Sequence, residues 1–184
     1  MNRLCSQICQ IFHSPAAVFG LLLLACAISL AAALALVTAA SAASLAAAFT
    51  AEFAFGLEPC ILCLYQRAPF AAVIALGMLG FALRKNKAFA LTMLALCAIA
   101  FLINSGIAVY HTGVELHWWA SAVEGCAVPP LGGNPDTLLD KILHAPRVPC
   151  DQIAWKDPVF GLTMANYNIA WSAGLSLLCL LALS

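Results

Sequence analysis

Long apolar runs alternate with short polar segments along this chain. A helix needs roughly 20 apolar residues to cross a hydrocarbon core of about 30 Å. Four runs are long enough, at residues about 16–40, 61–83, 88–110 and 159–183. The first run continues through small residues to about 51, so its second half is expected to pack closely on a neighbour or to project beyond the lipid. The pattern predicts an all-α, polytopic membrane four-helix bundle in a single domain, residues 1–184, with a long loop at about 111–158.

A cleaved signal peptide is the alternative interpretation of the first run. Arg3 and the small-residue stretch that follows are compatible with it. The apolar core, however, exceeds the roughly 7–15 residues that are typical of a signal sequence. We therefore interpret this run as a retained helix.

Composition supports a membrane protein. Of the 184 residues, 64% are hydrophobic and only 9% are charged, which is more apolar surface than a soluble domain of this size needs. The formal net charge is zero, so composition gives no indication of a nucleic-acid partner.

Charged residues are distributed asymmetrically around the predicted helices. Basic residues precede the first helix at Arg3 and connect the second and third helices at 84–87, with no acid nearby. All eight acidic residues lie in the other two connections: Glu52, Glu58, Glu115, Glu124, Asp136, Asp140, Asp151 and Asp157. The positive-inside rule then places both termini and the 84–87 loop in the cytoplasm. Residues about 51–60 and 111–158 would face outward.

The nine cysteines divide by predicted side of the membrane. Four lie on the outer side: Cys60, Cys63, Cys126 and Cys150. The other five are either cytoplasmic or within helices: Cys5, Cys9, Cys26, Cys97 and Cys179. Disulfides persist in oxidising compartments, whereas a buried lone cysteine behaves as a small apolar residue. The four outer cysteines are therefore the candidates for redox chemistry.

A C-x-x-C pair at Cys60 and Cys63 introduces the second helix, directly after Pro59. Proline suits the first turn of a helix, so both cysteines and Arg67 are predicted to share one stripe of it. The helix N-terminus and Arg67 should favour a thiolate at Cys63, which would make it a good electron donor. Arg67 could also hydrogen-bond a quinone oxygen. The alternative for Arg67 is a side chain that reaches the outer interface without further function.

Three other interpretations of these residues stay open at this point. Four thiolates would satisfy a structural zinc ion, although the second pair is not a compact C-x-x-C. The cysteines could instead form two structural disulfides, and a bridge between Cys126 and Cys150 would close a loop that its spacing allows. His111 ends the third helix at the level of Cys63, where it would either supply a proton or be a satisfied interfacial histidine.

The segment 59–67, P-C-I-L-C-L-Y-Q-R, resembles the signature of the DsbB family, the disulfide bond formation proteins of bacterial inner membranes. The resemblance extends over nearly the whole chain. Residues 110–119 before Cys126, and Cys150 followed by Trp155, are also similar to family members. The first helix matches only in hydrophobicity.

The resemblance implies a role for each candidate residue. Cys60 and Cys63 would form a disulfide linked to a membrane quinone, either ubiquinone or menaquinone, with no metal. Cys126 and Cys150 would form a loop disulfide that a periplasmic DsbA-type thioredoxin-fold oxidase attacks. Arg67 and, less directly, His111 match residues near the quinone. The family resemblance thus implies a membrane thiol:quinone oxidoreductase of the inner membrane whose cysteines face the periplasm.

Two alternatives belong to other classes. Vitamin K epoxide reductases also couple C-x-x-C to quinones in a four-helix bundle, but they usually place the loop cysteines before that motif, the reverse of the order found here. A tetraspanin-like organiser would share four helices and a large outer loop, but it needs neither cysteines at a helix start nor an intramembrane arginine. The sequence does not say which quinone or partner oxidase is used.

Overall fold

The structure is a computed structural model that describes residues 29–126 and 148–183. Within these ranges it contains four helices: α1 (Leu30–Phe55), α2 (Ile61–Ala82), α3 (Lys87–Glu115) and α4 (Met164–Leu183). All four are long and apolar enough to cross a membrane. The same ranges contain no strand, only an isolated β-bridge between Lys156 and Thr163. The predicted fold class, an all-α polytopic bundle, is confirmed.

The first helix continues well past 40, where the apolar run led us to end it. Ser29 caps its start by accepting a hydrogen bond from the Ala32 N–H at 3.2 Å. The helix then extends to Phe55 and stops at Gly56, which adopts a left-handed φ of 66°. Alanine has the highest helix propensity, so the small-residue stretch prolongs the helix instead of ending it. The part of the predicted first helix before residue 29, with Cys26, lies outside the described residues, as do Cys5 and Cys9.

The ends of α3 and α4 also differ from the predicted bounds. The third helix continues beyond 110 because its last turn, which includes His111 and Glu115, is buried against the rest of the bundle. The fourth begins at Met164 and not at 159, because Asp157 accepts hydrogen bonds from the Val159 and Phe160 N–H groups and forms a turn. Both changes lie at the end of the bundle where α2 begins.

The bundle is centred on α3, which packs against both α2 and α4, while α1 packs mainly on α2. Phe70 of α2 meets Phe101 of α3 edge to face, with ring centroids 6.1 Å apart. Small residues allow the close approach of α1 to α2, since a Cβ at Gly77 would collide with the Thr38 hydroxyl. Farther along α1, Ser44 accepts a hydrogen bond from Trp171 of α4 at 3.0 Å.

Candidate functional site

Cys60 and Cys63 lie together at the start of α2. Cys60 is the N-cap residue, and its Sγ accepts a hydrogen bond from the Cys63 backbone N–H at 3.3 Å. The two sulfur atoms are 2.9 Å apart. Cys60 is buried and Cys63 is partly exposed. The start of the helix therefore holds both sulfur atoms close enough to exchange a disulfide bond with little backbone movement.

Hydrogen bonds make Cys60 unusually acidic. The hydrogen bond to the Cys63 side chain is the largest influence and lowers the pKa of the Cys60 thiol. His111 lowers this pKa further, and burial opposes both effects. The Cys63 side chain and His111 stabilise a thiolate at Cys60, whereas the sequence predicts a thiolate at Cys63. A thiolate at Cys63 stays a prediction, and in the reduced pair seen here the negative charge is better stabilised on Cys60.

His111, on α3, contacts two residues at the beginning of α2, Cys60 and Gln66. It is buried near the end of α3, with Nε2 3.5 Å from the Cys60 Sγ and Nδ1 3.0 Å from the Gln66 Nε2. Asn168 of α4 donates to the Gln66 Oε1 at 2.6 Å, so the NH₂ group of Gln66 faces His111. Nδ1 must then accept, and the hydrogen of the neutral ring lies on Nε2, toward Cys60.

A ladder of polar side chains across α3 and α4 holds Gln66 in this orientation. Ser172 donates to the Asn168 Oδ1 at 2.9 Å, and Asn104 donates to the Ser172 Oγ at 2.9 Å. Asn104 and Ser172 are fully buried, and the ladder pairs the Asn104 Nδ2 and the Ser172 hydroxyl, while the Asn104 Oδ1 has no hydrogen-bond partner among the described residues. In the sequence these residues are isolated polar positions in apolar runs, and the spacing between them does not reveal that they meet.

Two residues of α1 hold Arg67 on the wall of a cavity. Its Nη1 donates to the Glu52 Oε2 at 2.5 Å, and its guanidinium lies 5.0 Å from the ring centroid of Phe49. The Arg67 side chain is 17% exposed, so its charge is engaged within the bundle. Glu52 and Phe49 were not singled out by the sequence analysis. Their spacing predicts that both side chains share one face of α1, but it does not show which helix that face contacts.

Cys126 and Cys150 form a disulfide, the same pairing that the family resemblance implies. The Cys150 N–H also donates to the Cys126 carbonyl oxygen at 2.9 Å, and both side chains are buried. They pack in one apolar cluster with Cys60, Leu62 and Val114. The loop disulfide therefore lies against the start of α2 and the end of α3, beside the C-x-x-C pair.

A cavity of about 380 Å³ opens next to these cysteines, between α1, α2, α3, α4 and residues 148–155. Its wall is mostly apolar and includes Phe70, Trp155 and Trp171. Cys63, Arg67 and His111 contribute polar atoms to the same wall. A small apolar ring with polar substituents suits a space of this size and lining.

The same residues include a geometric metal-ligand set. The donor atoms of Cys60, Cys63 and His111 all lie within 4.8 Å of one another. The four-cysteine zinc site considered from the sequence would need Cys126 and Cys150 as thiolates, and here they are joined to each other. The structure thus brings together the four candidate cysteines, Arg67 and His111 at one end of the bundle.

Comparison with known proteins agrees with the motif. The family described as "Disulfide bond formation protein DsbB" matches residues 30–182. "Disulfide bond formation protein B" of Xanthomonas axonopodis pv. citri is 32% identical over 141 residues, which cover 73% of this chain and 79% of the relative. The protein of the same name in Haemophilus influenzae is 26% identical over 122 residues, which cover 64% of this chain and 66% of the relative. No solved structure gives a significant match.

The family match and the fold lead to the same conclusion. The match spans all four helices, each able to cross a membrane, and the two cysteine pairs that lie together at one end. The resemblance stated from the sequence is confirmed. This multi-pass membrane protein belongs to the DsbB family, the oxidoreductases of disulfide bond formation.

Proposed function

We propose that this protein reoxidises a periplasmic DsbA-type dithiol oxidase and passes the electrons to a membrane quinone. The observation that carries the proposal is the packing of both cysteine pairs in one cluster at the edge of an apolar cavity. Such a relay needs one disulfide that exchanges with the soluble partner and a second cysteine pair beside the lipid-soluble acceptor, and the two pairs must lie close enough to exchange with each other.

The residues around the cavity fit a quinone ring. Phe70 and Trp155 offer apolar surface, and Arg67 offers hydrogen-bond donors for its carbonyl oxygens. His111 lies on the same wall, where its Nε2 faces Cys60. Cys63, the more exposed sulfur of its pair, lies on the same wall. A bound quinone supplies an acceptor for two electrons and two protons. Preorganised donors of this kind stabilise charge that develops on a reduced oxygen.

The cysteines would pass electrons inward by thiol–disulfide exchange. A thiolate of the partner attacks Cys126, the Cys126–Cys150 bond breaks, and Cys150 leaves as a thiolate. Cys150 then attacks Cys60 of the oxidised C-x-x-C pair, and Cys63 leaves as a thiolate at the cavity wall. The partner's second thiol closes the partner disulfide and releases Cys126. Attack of Cys126 on Cys150 restores the loop disulfide and leaves Cys60 and Cys63 reduced.

A strong oxidant must lie at the end of this relay. DsbA-type oxidases have potentials near about −120 mV, so an ordinary structural disulfide cannot reoxidise them. The DsbA–DsbB–quinone system is known to keep the bacterial periplasm oxidising. Donors that stabilise a thiolate in the C-x-x-C pair make that pair a stronger oxidant, because they favour its reduced form.

The charge distribution orients the proposed reaction. The basic segment Arg84–Lys87 joins the end of α2 to the first residue of α3, at the end of the bundle opposite the start of α2. By the positive-inside rule this connection and both termini are cytoplasmic, in the inner membrane of a bacterium. The four outer cysteines then face the periplasm, where their proposed partner would be found.

Quinone reduction by the purified protein tests the proposal. The assay supplies ubiquinone or menaquinone and a reduced DsbA-type oxidase, and it compares the wild type with Cys63→Ser. We expect loss of the quinone absorbance coupled to partner oxidation, and no turnover in the variant. A folded wild-type protein that turns over neither quinone would refute the proposal and leave Cys60 and Cys63 with a structural or metal-binding role.

A further inference from the structure

The segment that leads into α4 forms an ordered turn with an apolar tip. A β-bridge between Lys156 and Thr163 closes this 156–163 turn. At its tip, Val159 and Phe160 are 77% and 75% exposed, which is among the largest exposed fractions of any big apolar side chain in the described ranges. The relay described above uses neither side chain. Large apolar side chains that are exposed next to each other mark an interaction surface.

The backbone of this tip has no unpaired N–H group. The N–H groups of Val159 and Phe160 each donate to the Asp157 carboxylate at 3.1 Å. The Gly161 N–H donates to the Asp157 carbonyl oxygen at 2.9 Å, and Pro158 has no N–H to pair. Unpaired backbone groups are costly in lipid, where water does not replace the missing partner. A turn whose donors are all paired internally can therefore enter a lipid surface at little cost.

Contacts with α4 fix the base of the turn. The Asp157 carboxylate also accepts a hydrogen bond from the Tyr167 hydroxyl at 2.8 Å. The Trp155 ring lies beside the Tyr167 ring, with centroids 6.4 Å apart. Tryptophan and tyrosine are enriched where a bilayer meets water. The only carboxylate of the turn is thus engaged at its base, and residues 158–163 carry no charge.

The length of α4 places the turn relative to the membrane. This helix has 20 residues and so spans about 30 Å, the thickness of the hydrocarbon core. Its first turn, where Tyr167 contacts Trp155, therefore lies at a boundary of that core. Each arm between Lys156 and Thr163 has about three residues and reaches at most about 10 Å. Because the headgroup region adds about 5–8 Å on each side of the core, the tip stays close to the lipid surface.

Lys156 adds a positive charge at the base of the turn. Its side chain is exposed and lies over Gly161, where only a glycine leaves room for it and where φ is a left-handed 66°. Among the described residues Lys156 forms no ion pair. A lysine at a bilayer surface packs its stem on apolar groups and keeps its ammonium at the level of the headgroups.

We propose that the 156–163 turn is a membrane-surface anchor, in which Val159 and Phe160 insert into the lipid at the boundary between headgroups and acyl chains. This inference is independent of the proposed relay, because it needs only that α4 spans the membrane. A protein partner is the alternative occupant of the tip. Protein interfaces combine an apolar centre with hydrogen bonds, and the tip presents neither a charge nor an unpaired backbone N–H for such contacts.

The anchor also fixes one wall of the cavity. Trp155 and Tyr167 both line the cavity, and they flank the 156–163 turn in the chain. Asp157 joins the turn to Tyr167 directly. A turn held in the lipid surface therefore keeps this aromatic wall at the depth where α4 enters the membrane.

Photo-crosslinking from lipid tests the proposal on the full-length chain. The protein is reconstituted in vesicles of phosphatidylcholine that include a phosphatidylcholine with a diazirine on one acyl chain, placed either next to the headgroup or at the chain end. After irradiation, peptide mass spectrometry locates and quantifies the lipid adducts. The test variant is Phe160→Asp and the matched control is Phe160→Leu. Thermal unfolding in the same vesicles monitors the fold of each variant.

The headgroup-side diazirine should label Val159 and Phe160 in the wild type. The chain-end diazirine should instead label Leu177, an exposed residue well inside α4. Phe160→Asp should lose the adducts of the turn and keep those at Leu177, because the new carboxylate stays in water. Phe160→Leu should keep both sets of adducts, because the tip stays apolar.

Two results would overturn the proposal. One is wild-type protein that is labelled at Leu177 but not at the turn; protection of Phe160 from hydroxyl radicals by an added DsbA-type oxidase would then assign the tip to that partner. The other is an equal yield of turn adducts in Phe160→Asp and Phe160→Leu. If Phe160→Asp does not fold, Val159→Asp and Val159→Leu provide the same comparison. The vesicles contain no quinone, so failure of the proposed relay would leave these results unchanged.

Discussion

Two cysteine pairs on the membrane helices have opposite surroundings. Cys97 of α3 and Cys179 of α4 are fully buried in the apolar core of the bundle, in one cluster with Leu94 and Phe101. Cys60 and Cys63 lie at a helix start, with a backbone N–H, a histidine and a cavity beside them. Burial is common to Cys60, Cys97 and Cys179, so it does not distinguish a reactive cysteine. A reactive cysteine is distinguished by hydrogen-bond donors to its sulfur and by access to an electron acceptor.

Substitution of cysteines in the two pairs should give the largest difference in quinone reduction between the two regions. Cys63→Ser removes the sulfur next to the cavity and should lower quinone reduction at least about 1000-fold, as loss of a reacting nucleophile does. Cys97→Ala and Cys179→Ala should stay within about twofold of the wild type in the same assay, because both side chains serve only as apolar filling. A Cys179→Ala protein that folds but does not turn over would contradict the comparison.

Arg67 and Arg84 offer a second matched pair, since each guanidinium lies over a phenylalanine ring. Arg67 borders the cavity, whereas Arg84 lies at the other end of α2. Arg67→Gln should slow quinone reduction about 100-fold, the typical cost of one preorganised donor. Arg84→Gln should not change the rate. Titration with the partner oxidase gives the control, because partner affinity should be unchanged. If only partner affinity fell, Arg67 would not belong to the quinone site.

Glu52 should have a smaller effect than Arg67, because it acts by holding the guanidinium in place. Glu52→Gln keeps the size of the side chain and removes its charge. A partly exposed ion pair contributes up to about 1 kcal/mol, so we expect quinone reduction to slow about fivefold, measured at limiting quinone. A faster reaction would mean that Glu52 competes with the quinone for Arg67.

The smallest functional effect should come from the packing of α1 on α2. Gly77→Ala places a methyl group against the Thr38 hydroxyl and should lower the free energy of unfolding by about 1–3 kcal/mol. Gly106→Ala, at a position with open space around the new methyl group, is the matched control and should be neutral or slightly stabilising. Denaturation in detergent measures both, and quinone reduction by the folded proteins should be unchanged. Equal stability of the two variants would contradict the assigned close contact.

The sequence was most informative where a feature is local. Four apolar runs predict four helices, and P-C-I-L-C-L-Y-Q-R places two cysteines and an arginine within about two turns of helix. The ends of the helices were harder to predict from the sequence. Alanine propensity carried α1 past the predicted end, and a turn capped by Asp157 delayed the start of α4.

The partners of the site residues depend on how the helices are rotated and aligned, which hydropathy does not specify. Glu52 contacts Arg67 from α1, Asn168 reaches Gln66 from α4, and Glu115 meets Thr163 across the end of the bundle. In the sequence, Glu52 and Glu115 were only acids on the outer side. The candidate residues were thus predictable, but the hydrogen bonds that would control their chemistry required the tertiary structure.

The most direct test of the central claim is the stoichiometry of a single anaerobic turnover. Reduced DsbA-type oxidase is mixed with an excess of protein that carries quinone, and partner disulfide and quinol are both quantified. The account predicts one quinol for each partner disulfide in the wild type and in Cys97→Ala. It predicts partner oxidation without quinol in Cys63→Ser, limited to the loop disulfide. Quinol formed at the wild-type yield in Cys63→Ser would contradict the relay.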